Sequence, residues 1–309
     1  MKTSNGYPRD LVGYAGKGPH PCWPNQARVA VSFVLNYEEG GENCILHGDA
    51  HSESVLTDLG GVEALVGARD LNVESNFEYG SRVGFWEIMR LLRSREIKAT
   101  IYAVGAALER NPLVAAEMVD SEFEVACHGD RWINYQFVSE EDERVHMQRN
   151  VETITRLIGR APVGWYTGRP GPNTRRLAIQ SGHFLYDSDA YNDDLPYWVR
   201  VDGKAHLVVP HSFDINDSRL QRGGDFSTGQ EFFAYGRDAF DWLYQQGNEG
   251  RPRMMTISLH GRIIGRPGRL GALARLLDHI QRHQHVWICE RAAIARHWRT
   301  RHPPESCGG

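Results

Sequence analysis

Short apolar runs alternate with longer segments of helical periodicity along most of the chain. Residues 28–36 are almost continuously apolar, which is typical of a strand covered on both faces. Similar runs predict strands at residues 98–104, 123–127, 163–166, 183–186, 206–209, 254–259 and 286–289. Helical spacing and end signals predict helices at residues 82–95, 112–119, 139–158, 173–181, 231–246, 268–282 and 291–299. This alternation predicts a single parallel α/β domain.

The flanks of this pattern predict the domain boundaries. Residues 1–27 are rich in Gly and Pro, with interleaved aromatics, and are interpreted as an extended arm that lies on the body or on a neighbour. Residues 28–300 are predicted to form the catalytic domain, and residues 301–309 a flexible tail. The polar stretch 40–79 is predicted to be a long functional loop.

Composition narrows the class of protein. The 309 residues are 41% hydrophobic and carry a net charge of −4, so neither nucleic acid nor an anionic membrane is expected as a general partner. The polar N-terminus lacks a signal-peptide core, and no stretch approaches the roughly 20 apolar residues needed to cross a bilayer. The five cysteines are scattered and include no CxxC pair, which favours a reduced, cytoplasmic protein.

Polar side chains stand at the ends of several predicted strands, and this is the main indication of chemistry. Glu38 and Glu39 follow the first strand, while His128, Asp187 and His260 stand at or near the ends of later ones. In a parallel barrel such strand ends converge on one pocket, as catalytic residues do. One glutamate can act as general base while the other orients it or meets substrate. The sequence leaves open which of the two is the base, and the residue types indicate a hydrolase.

The two histidines are predicted to work without a metal. A metal-binding turn at His128 would be expected to carry a second histidine four positions later, where this chain has Trp132. His128 is therefore interpreted as an acid, a base or a hydrogen-bond donor. His260 ends a strongly apolar strand and could protonate a leaving nitrogen. Cys127 is interpreted as a buried small hydrophobe.

A loop rich in Gly and Pro at residues 164–173 is predicted to form the rim of the pocket. Tyr166 and Arg169 lie in this loop, and Arg169 could bind a ligand carbonyl or carboxylate. Asp187 could orient a histidine or Arg169. The chain has no G-x-S-x-G elbow, Walker A motif or Rossmann fingerprint, which excludes the usual serine hydrolase, nucleotide and NAD interpretations.

With these residues in place, the chain resembles the polysaccharide deacetylase superfamily over residues 28–290, which implies a distorted (β/α) barrel. LNYEEG at 35–40, HGDRW at 128–132, residues 163–170 and SLH at 258–260 stand at the superfamily's motif positions. The resemblance places Glu39, His128 and Trp132 where the superfamily has an Asp-His-His metal triad. Because one imidazole is lost, no metal or other cofactor is expected.

Within this superfamily the chain is similar to the metal-independent allantoinases. The shared strings are YPRDLVGY at 7–14, FVLNYEEGGE at 33–42, HGDRW at 128–132, GWYTGR at 164–169, GPNTRR at 171–176 and DDLPYW at 193–198. This resemblance implies hydrolysis of the hydantoin ring of allantoin, or of a related cyclic amide, to an open product such as allantoate. It also implies a small-molecule substrate and a homo-oligomer, for example a tetramer.

The resulting hypothesis assigns roles to nine residues. The catalytic set is Glu38, Glu39, His128 and His260, and the substrate-binding set is Asn36, Trp132, Tyr166, Arg169 and Asp187. One alternative is a metal-dependent N-deacetylase of glycans or peptidoglycan, whose second imidazole would have to come from elsewhere, from among His146, His183, His206 and His211. The other is an inactive barrel that binds a small cyclic ligand or a partner protein.

Overall fold

A computed structural model describes residues 9–58, 63–221 and 224–304, and it contains one large sheet. The strands are β1 (Val29–Tyr37), β2 (Thr100–Ala103), β3 (Glu124–Cys127), β4 (Gly164–Trp165), β5 (Tyr186–Asp187), β6 (Tyr197–Val201), β7 (Lys204–Val208), β8 (Ile215–Asn216), β9 (Arg253–His260) and β10 (Val286–Ile288). Their order is β6-β7-β5-β4-β3-β2-β1-β9-β8, and β10 also pairs with β1. Only β6 and β7 pair antiparallel within this described sheet.

The predicted fold class is confirmed as a single α/β domain with a distorted barrel. Strand β1 is central, because β9 pairs with it along its length while β2 and β10 share its other side. Among the described residues no pairing joins β6 to β8, so the strands do not close into a complete ring.

Nine helices in the described part of the chain surround this sheet. They are α1 (Leu71–Tyr79), α2 (Phe85–Arg93), α3 (Gly105–Arg110), α4 (Pro112–Ser121), α5 (Glu140–Ile158), α6 (Thr174–Ser181), α7 (Gly229–Asn248), α8 (Pro267–Gln281) and α9 (Arg291–Arg301). The end signals of α5 act as predicted: the Ser139 hydroxyl accepts the N–H of Asp142, and Gly159 ends the helix at φ 78°. None of these helices is long and apolar enough to span a membrane.

The prediction of a loop throughout residues 40–79 was wrong. The first helix begins at Leu71 and continues through a π-helical turn, Gly80–Gly84, into α2. Its start is fixed by Asp70, whose carboxylate accepts the N–H groups of two residues in the first turn. Only a narrow stripe of this helix is apolar and buried, which is why its hydrophobic pattern gave no signal.

The sequence analysis also missed strands β6 and β8 and helix α3. Strand β6 is an edge strand with partly exposed residues throughout, so it lacks a continuous apolar run. Strand β8 has two residues and α3 has six, which is too short for periodicity to appear.

Alternation along β1 separates the core from the barrel interior. Val29, Val31, Phe33, Leu35 and Tyr37 belong to the main core cluster outside the barrel, together with residues of the surrounding helices. The intervening positions face inward, where Val34 packs with Tyr102, Ala126 and Tyr166 in a small separate cluster. Asn36 continues this inner column and pairs in register with His260 of β9. The carboxyl ends of the strands therefore place polar side chains above an apolar layer.

The described part of the N-terminal arm lies on the body of its own chain. Trp23 is buried against Trp287 and Trp298, with ring centroids 5.7 and 5.9 Å away. Its indole N–H donates to the carbonyl of Arg253 at 3.1 Å. The first eight residues and residues 305–309 of the predicted tail lie outside the described part, so the domain boundaries stay predictions. The homo-oligomer also stays a prediction.

Candidate active site

Glu38 is the centre of a buried cluster at the carboxyl ends of β1, β3 and β9. Its Oε1 atom lies 3.0 Å from Nε2 of His128 and 3.5 Å from Nε2 of His260. Its Oε2 atom accepts a hydrogen bond from the guanidinium of Arg262. The side chains of Glu38 and His128 are only 2% and 1% exposed. A carboxylate flanked by three nitrogen groups is the core of the site.

Arg262 links the two adjacent glutamates. One Nη donates to Glu38, the other donates to Oε1 of Glu39 at 3.2 Å, and Nε donates to the carbonyl of Leu56 at 2.8 Å. The guanidinium is fully buried and lies over the rings of Phe77 and Trp132, 4.2 and 5.3 Å from their centroids. Both carboxylates therefore accept a hydrogen bond from the same fixed cation.

The two glutamates differ in acidity. Burial alone would raise the pKa of Glu38, but Arg262, His260 and His128 outweigh it and hold that pKa well below its ordinary value. Burial and the neighbouring charge of Glu38 raise the pKa of Glu39, against the opposing effect of Arg262. Oε2 of Glu39 turns back to accept the N–H of Glu38 at 3.0 Å. Glu38 thus faces the imidazoles as a carboxylate, while Glu39 faces the backbone and Arg262.

His260 forms a dyad with a residue that the sequence analysis did not single out. Oδ1 of Asp217 lies 2.6 Å from Nδ1 of His260, and Oδ2 accepts the backbone N–H groups of His260 and Ile264. Burial would lower the pKa of His260, but the carboxylates of Asp217 and Glu38 override it and raise that pKa to about 9. Near neutral pH His260 is therefore an imidazolium whose Nε2–H faces Glu38.

His128 is held in one orientation by the loop that follows β4. Its Nδ1 atom lies 2.7 Å from the carbonyl oxygen of Tyr166, which can only accept, so Nδ1 carries a hydrogen. The two rings stack with centroids 5.2 Å apart and an interplanar angle of 12°. This contact leaves Nε2 directed at Glu38.

Arg169 and Trp132 form a wall beside the cluster. The Arg169 guanidinium lies 3.7 Å above the Trp132 ring and pairs with Glu53 at 3.2 Å. Glu53 comes from the long insertion, so the insertion covers this side of the site. The loop N–H groups of Thr167 and Gly168 both donate to Asp189, so they do not face the cluster.

The remaining predicted residues, Asn36 and Asp187, lie in different settings. The Asn36 amide N–H₂ donates to the Ser258 hydroxyl at 2.9 Å, while its Oδ1 atom is buried without a hydrogen-bond partner. Asp187 forms a separate ion-pair cluster with Arg175 at 2.9 Å and His206 at 3.1 Å. Asp187 was predicted to orient a histidine or Arg169. It lies beside a histidine, His206, but the arginine that it binds is Arg175.

The donors present do not fit the metal triad implied by the superfamily. Nε2 of His128 faces Glu38, Glu39 is bound to Arg262, and Trp132 offers no ligand atom. In the described ranges, three His, Cys, Asp or Glu residues with ligand atoms within 4.8 Å of one another occur only at Asp241, His279 and His283, on the outer helices. No step of the chemistry is therefore assigned to a metal.

Two glycines allow helix α1, the π turn and α2 to approach the site closely. A Cβ on Gly80 would collide with the carboxyl group of Glu39, and a Cβ on Gly84 would collide with the carbonyl oxygen of Gly261. Because Gly261 lies between His260 and Arg262, this packing fixes the segment that carries both cations.

Three site residues were missed: Arg262, Asp217 and His211. Arg262 stands two positions after His260, just beyond the end of the apolar strand, and the sequence analysis gave it no role. Asp217 follows a strand of only two residues, so no pattern marked it. His211 follows β7 and was considered only as a replacement metal ligand.

Comparison with known proteins assigns the family. The family model described as Polysaccharide deacetylase matches residues 68–181. A Schizosaccharomyces pombe protein, whose name places it among polysaccharide deacetylases, is 43% identical over 96% of this chain and 98% of its own length. A Helicobacter pylori peptidoglycan deacetylase is 24% identical over 68% of this chain and 82% of its own length. The chain belongs to the polysaccharide deacetylase family.

Two solved structures share the fold almost completely. A Pseudomonas aeruginosa PAO1 protein, also named for polysaccharide deacetylation, and PuuE allantoinase each have a TM-score of 0.94 and 50% sequence identity. Both matches cover 97% of this chain, with 100% and 99% of the other chains. One of these names denotes a polysaccharide deacetylase and the other an allantoinase.

Proposed function

We propose that this protein is a metal-independent allantoinase, which opens the hydantoin ring of allantoin by hydrolysis to give allantoate. The observation that carries the proposal is the fully buried Arg262, which binds the carboxylates of both Glu38 and Glu39, and Glu39 stands where the resemblance places a metal ligand. The 50% identity with PuuE allantoinase over nearly the whole chain supports the same substrate. N–H and C=O groups around a cyclic ureide suit a site built from imidazoles and carboxylates.

Glu38 is the general base in this proposal. It faces both imidazoles, whereas Glu39 is turned toward the Glu38 N–H and Arg262. The low pKa of Glu38 keeps it ionised at neutral pH, so it is ready to accept a proton from water. Geometry takes priority over pKa in this assignment, because a base must reach the proton that it removes.

His260 is the general acid. Water adds its oxygen to the ring carbonyl carbon and gives one proton to Glu38. The ring C–N bond then breaks, and the electron pair on the departing nitrogen takes the proton of His260 Nε2. Glu38 and His260 lie 3.5 Å apart, so the proton can return from the carboxyl group to the imidazole after turnover. Asp217 keeps His260 charged and in this orientation.

The other residues position the substrate and stabilise charge. His128 is assigned to hydrogen-bond the oxygen of the attacked carbonyl, because its ring lies beside Glu38; a preorganised donor of this kind contributes about 3–4 kcal/mol in known enzymes. Trp132 and Tyr166 are buried rings that exclude water from the pocket. Asn36 supplies a buried carbonyl oxygen that can accept a substrate N–H.

The test is an assay of the purified protein on allantoin after exhaustive treatment with a strong chelator. We expect full turnover, with allantoate as the product and no stoichiometric metal by elemental analysis. Loss of activity with chelator and its rescue by Zn²⁺ would overturn the metal-free mechanism. Parallel assays on N-acetylated glycan and peptidoglycan fragments test the deacetylase alternative.

The inactive-barrel alternative has its own outcome. If Glu38→Gln and His260→Ala leave the rates measured on allantoin and on acetylated glycans unchanged, while a small cyclic ligand still binds, the protein is a binding module. Turnover of allantoin that both substitutions abolish excludes it.

A further inference from the structure

His211 is a buried imidazole whose two nitrogens have no hydrogen-bond partner among the residues that the structure describes. It follows β7 and is 2% exposed, and neither Nδ1 nor Nε2 is satisfied. The two buried histidines of the catalytic cluster, in contrast, bind a partner through each ring nitrogen. A buried polar atom without a hydrogen-bond partner destabilises a fold, because it has lost its bonds to water and gained none in return. A histidine retained at such a cost indicates a partner that arrives from outside the chain.

The position of His211 puts it at the mouth of the barrel. Its ring centroid lies 4.5 Å from that of Tyr166, edge to face, and about 6 Å from those of Tyr102 and Tyr191. The Tyr166 ring stacks on His128 on its other side. His211 is thus one aromatic ring away from the catalytic imidazole.

The segment that carries His211 is fixed by buried hydrogen bonds. Its backbone N–H donates to the carbonyl of Ala190 at 2.7 Å. The Arg291 guanidinium binds the carbonyls of Val209 and Pro210, the two residues just before it, at 2.5 and 2.7 Å. The ring is therefore held in place without any contact made by its own nitrogens, which is the arrangement of a preorganised binding group.

The protonation state completes the description. Burial and the positive charges of Arg291, His128 and His260 hold the pKa of His211 well below its ordinary value. The ring is neutral at physiological pH and offers one N–H donor and one nitrogen acceptor. These two groups point in different directions, so they suit a compact ligand that has N–H and C=O groups on several sides.

We propose that His211 is a specificity-determining residue that binds the ureide N–H and C=O groups of the substrate. This inference rests on the proposed function and extends it to substrate choice. An acetylated sugar presents one amide among many hydroxyls, whereas a cyclic ureide presents several donors and acceptors in one plane. A neutral imidazole favours the cyclic ureide, because a ligand without matching groups leaves both of its nitrogens without a hydrogen bond.

The test compares His211→Phe with a matched control. Phe keeps an aromatic ring against Tyr166 but removes both nitrogens, while His146→Phe makes the same change at a partly buried histidine that packs on Tyr135. We expect His211→Phe to raise KM for allantoin by about tenfold or more, with a smaller change in kcat, and His146→Phe to leave KM unchanged. The thermal midpoint without ligand should be equal or higher for His211→Phe, because no internal hydrogen bond is lost.

Binding is measured separately from turnover by calorimetry with hydantoin and allantoin in a Glu38→Gln background. The added His211→Phe change should weaken both by about tenfold, and His211→Gln, which keeps a donor and an acceptor, should recover part of the loss. If His211→Phe misfolds, the His211→Gln variant with an intermediate affinity decides the point.

The outcomes separate the two proposals. Wild-type turnover of allantoin together with an unchanged KM and affinity in folded His211 variants overturns the role of His211 alone. A wild-type protein that neither hydrolyses nor binds these ureides overturns the proposed function and this inference with it. A large loss of thermal stability in ligand-free His211→Phe would show a structural histidine instead.

Discussion

Two arginines, Arg291 and Arg262, are completely buried in the part of the chain that the structure describes, and they bind different kinds of partner. Arg291 donates only to neutral groups: the hydroxyls of Ser188 and Thr256 and the carbonyls of Val209 and Pro210. Arg262 donates to two carboxylates and one carbonyl, and lies over aromatic rings. Both guanidinium groups are 0% exposed. Burial alone therefore does not distinguish structure from chemistry.

The difference lies in what each cation does to its neighbours. A guanidinium bound to neutral acceptors satisfies hydrogen bonds and holds chain segments together, but it balances no charge. One bound to two carboxylates favours their ionised forms, because it lowers the pKa of Glu38 and opposes the rise that burial causes in the pKa of Glu39. A buried cation next to carboxylates that also face imidazoles is thus a stronger indication of an active site than a buried cation by itself.

The largest expected effect comes from changing the two carboxylates, which bind Arg262 and have no counterpart around Arg291. Glu38→Gln removes the proposed base and should lower kcat on allantoin by about 10²–10⁴-fold. Glu39→Gln should retain most of the activity, because Glu39 faces the backbone N–H of Glu38. Steady-state kinetics of both variants decides the assignment. The reverse order of effects would make Glu39 the base.

The next comparison removes each cation in turn. Arg262→Met leaves two buried carboxylates without a partner and should lower the free energy of unfolding by about 3–5 kcal/mol at neutral pH. Without Arg262 the folded-state pKa values of both glutamates rise, because the cation that favours their ionised forms is gone. The stability that Arg262 contributes is therefore largest where both glutamates are ionised and is lost as they become protonated, so the deficit should shrink in acid.

Arg291→Met is the matched control for this experiment. It should also destabilise the fold, but its hydrogen-bond partners are neutral hydroxyls and carbonyls, so its deficit should change with pH less than that of Arg262→Met. Urea unfolding of both variants at several pH values measures the difference. A deficit for Arg262→Met that does not change with pH contradicts the charge-balancing role.

A smaller effect concerns the pH profile of catalysis. Because His260 acts as the acid and its pKa is raised to about 9, kcat/KM should be level near neutrality and fall as pH rises through about 9. Asp217→Asn removes one of the two carboxylates that raise this pKa, so the alkaline limb should move toward the ordinary value of about 6.5. An alkaline limb that stays in place in Asp217→Asn would assign it to another group.

The raised pKa of His260 also makes the stability of the fold decrease with rising pH. A folded-state pKa raised above the unfolded value stabilises the protein fully below about pH 6.5, and this contribution is lost as pH rises through about 9. The wild-type free energy of unfolding should therefore decline between these values more than that of Asp217→Asn.

The smallest expected effect tests the packing around Arg262. Gly80→Ala pushes a methyl group toward Glu39 and should lower the free energy of unfolding by about 1–3 kcal/mol, with some loss of activity. Gly268→Ala is the control, because a Cβ there meets nothing within 4 Å. Thermal unfolding and allantoin turnover measure both. Equal behaviour of the two variants would show that α1 and the π turn are free to move away.

Sequence patterns predicted the parts of the fold that have long or strongly apolar elements. Strand β1 and helix α5 follow their predicted ranges closely, because continuous burial and a capped amphipathic helix leave clear patterns. The strand ends that converge on Glu38, His128 and His260 were predicted for the same reason. Asp217 could not be predicted this way because it follows a strand of only two residues, and His211 because it lies beyond the end of β7; both reach the site only through tertiary contacts. The closed ion-pair set of Arg262 likewise depends on distances that no local pattern encodes.

The alternation along β1 has a consequence for how this chain can change over generations. Asn36 is level with His260 only because an even number of positions separates it from the inward-facing Val34 and Ser32. Deleting or inserting one residue within the strand would exchange its two columns, turning Leu35 and Tyr37 inward and pointing the polar residues at the surrounding helices. Length variation is therefore tolerated in the connecting segments but forbidden inside this strand, whatever reaction the mouth of the barrel performs.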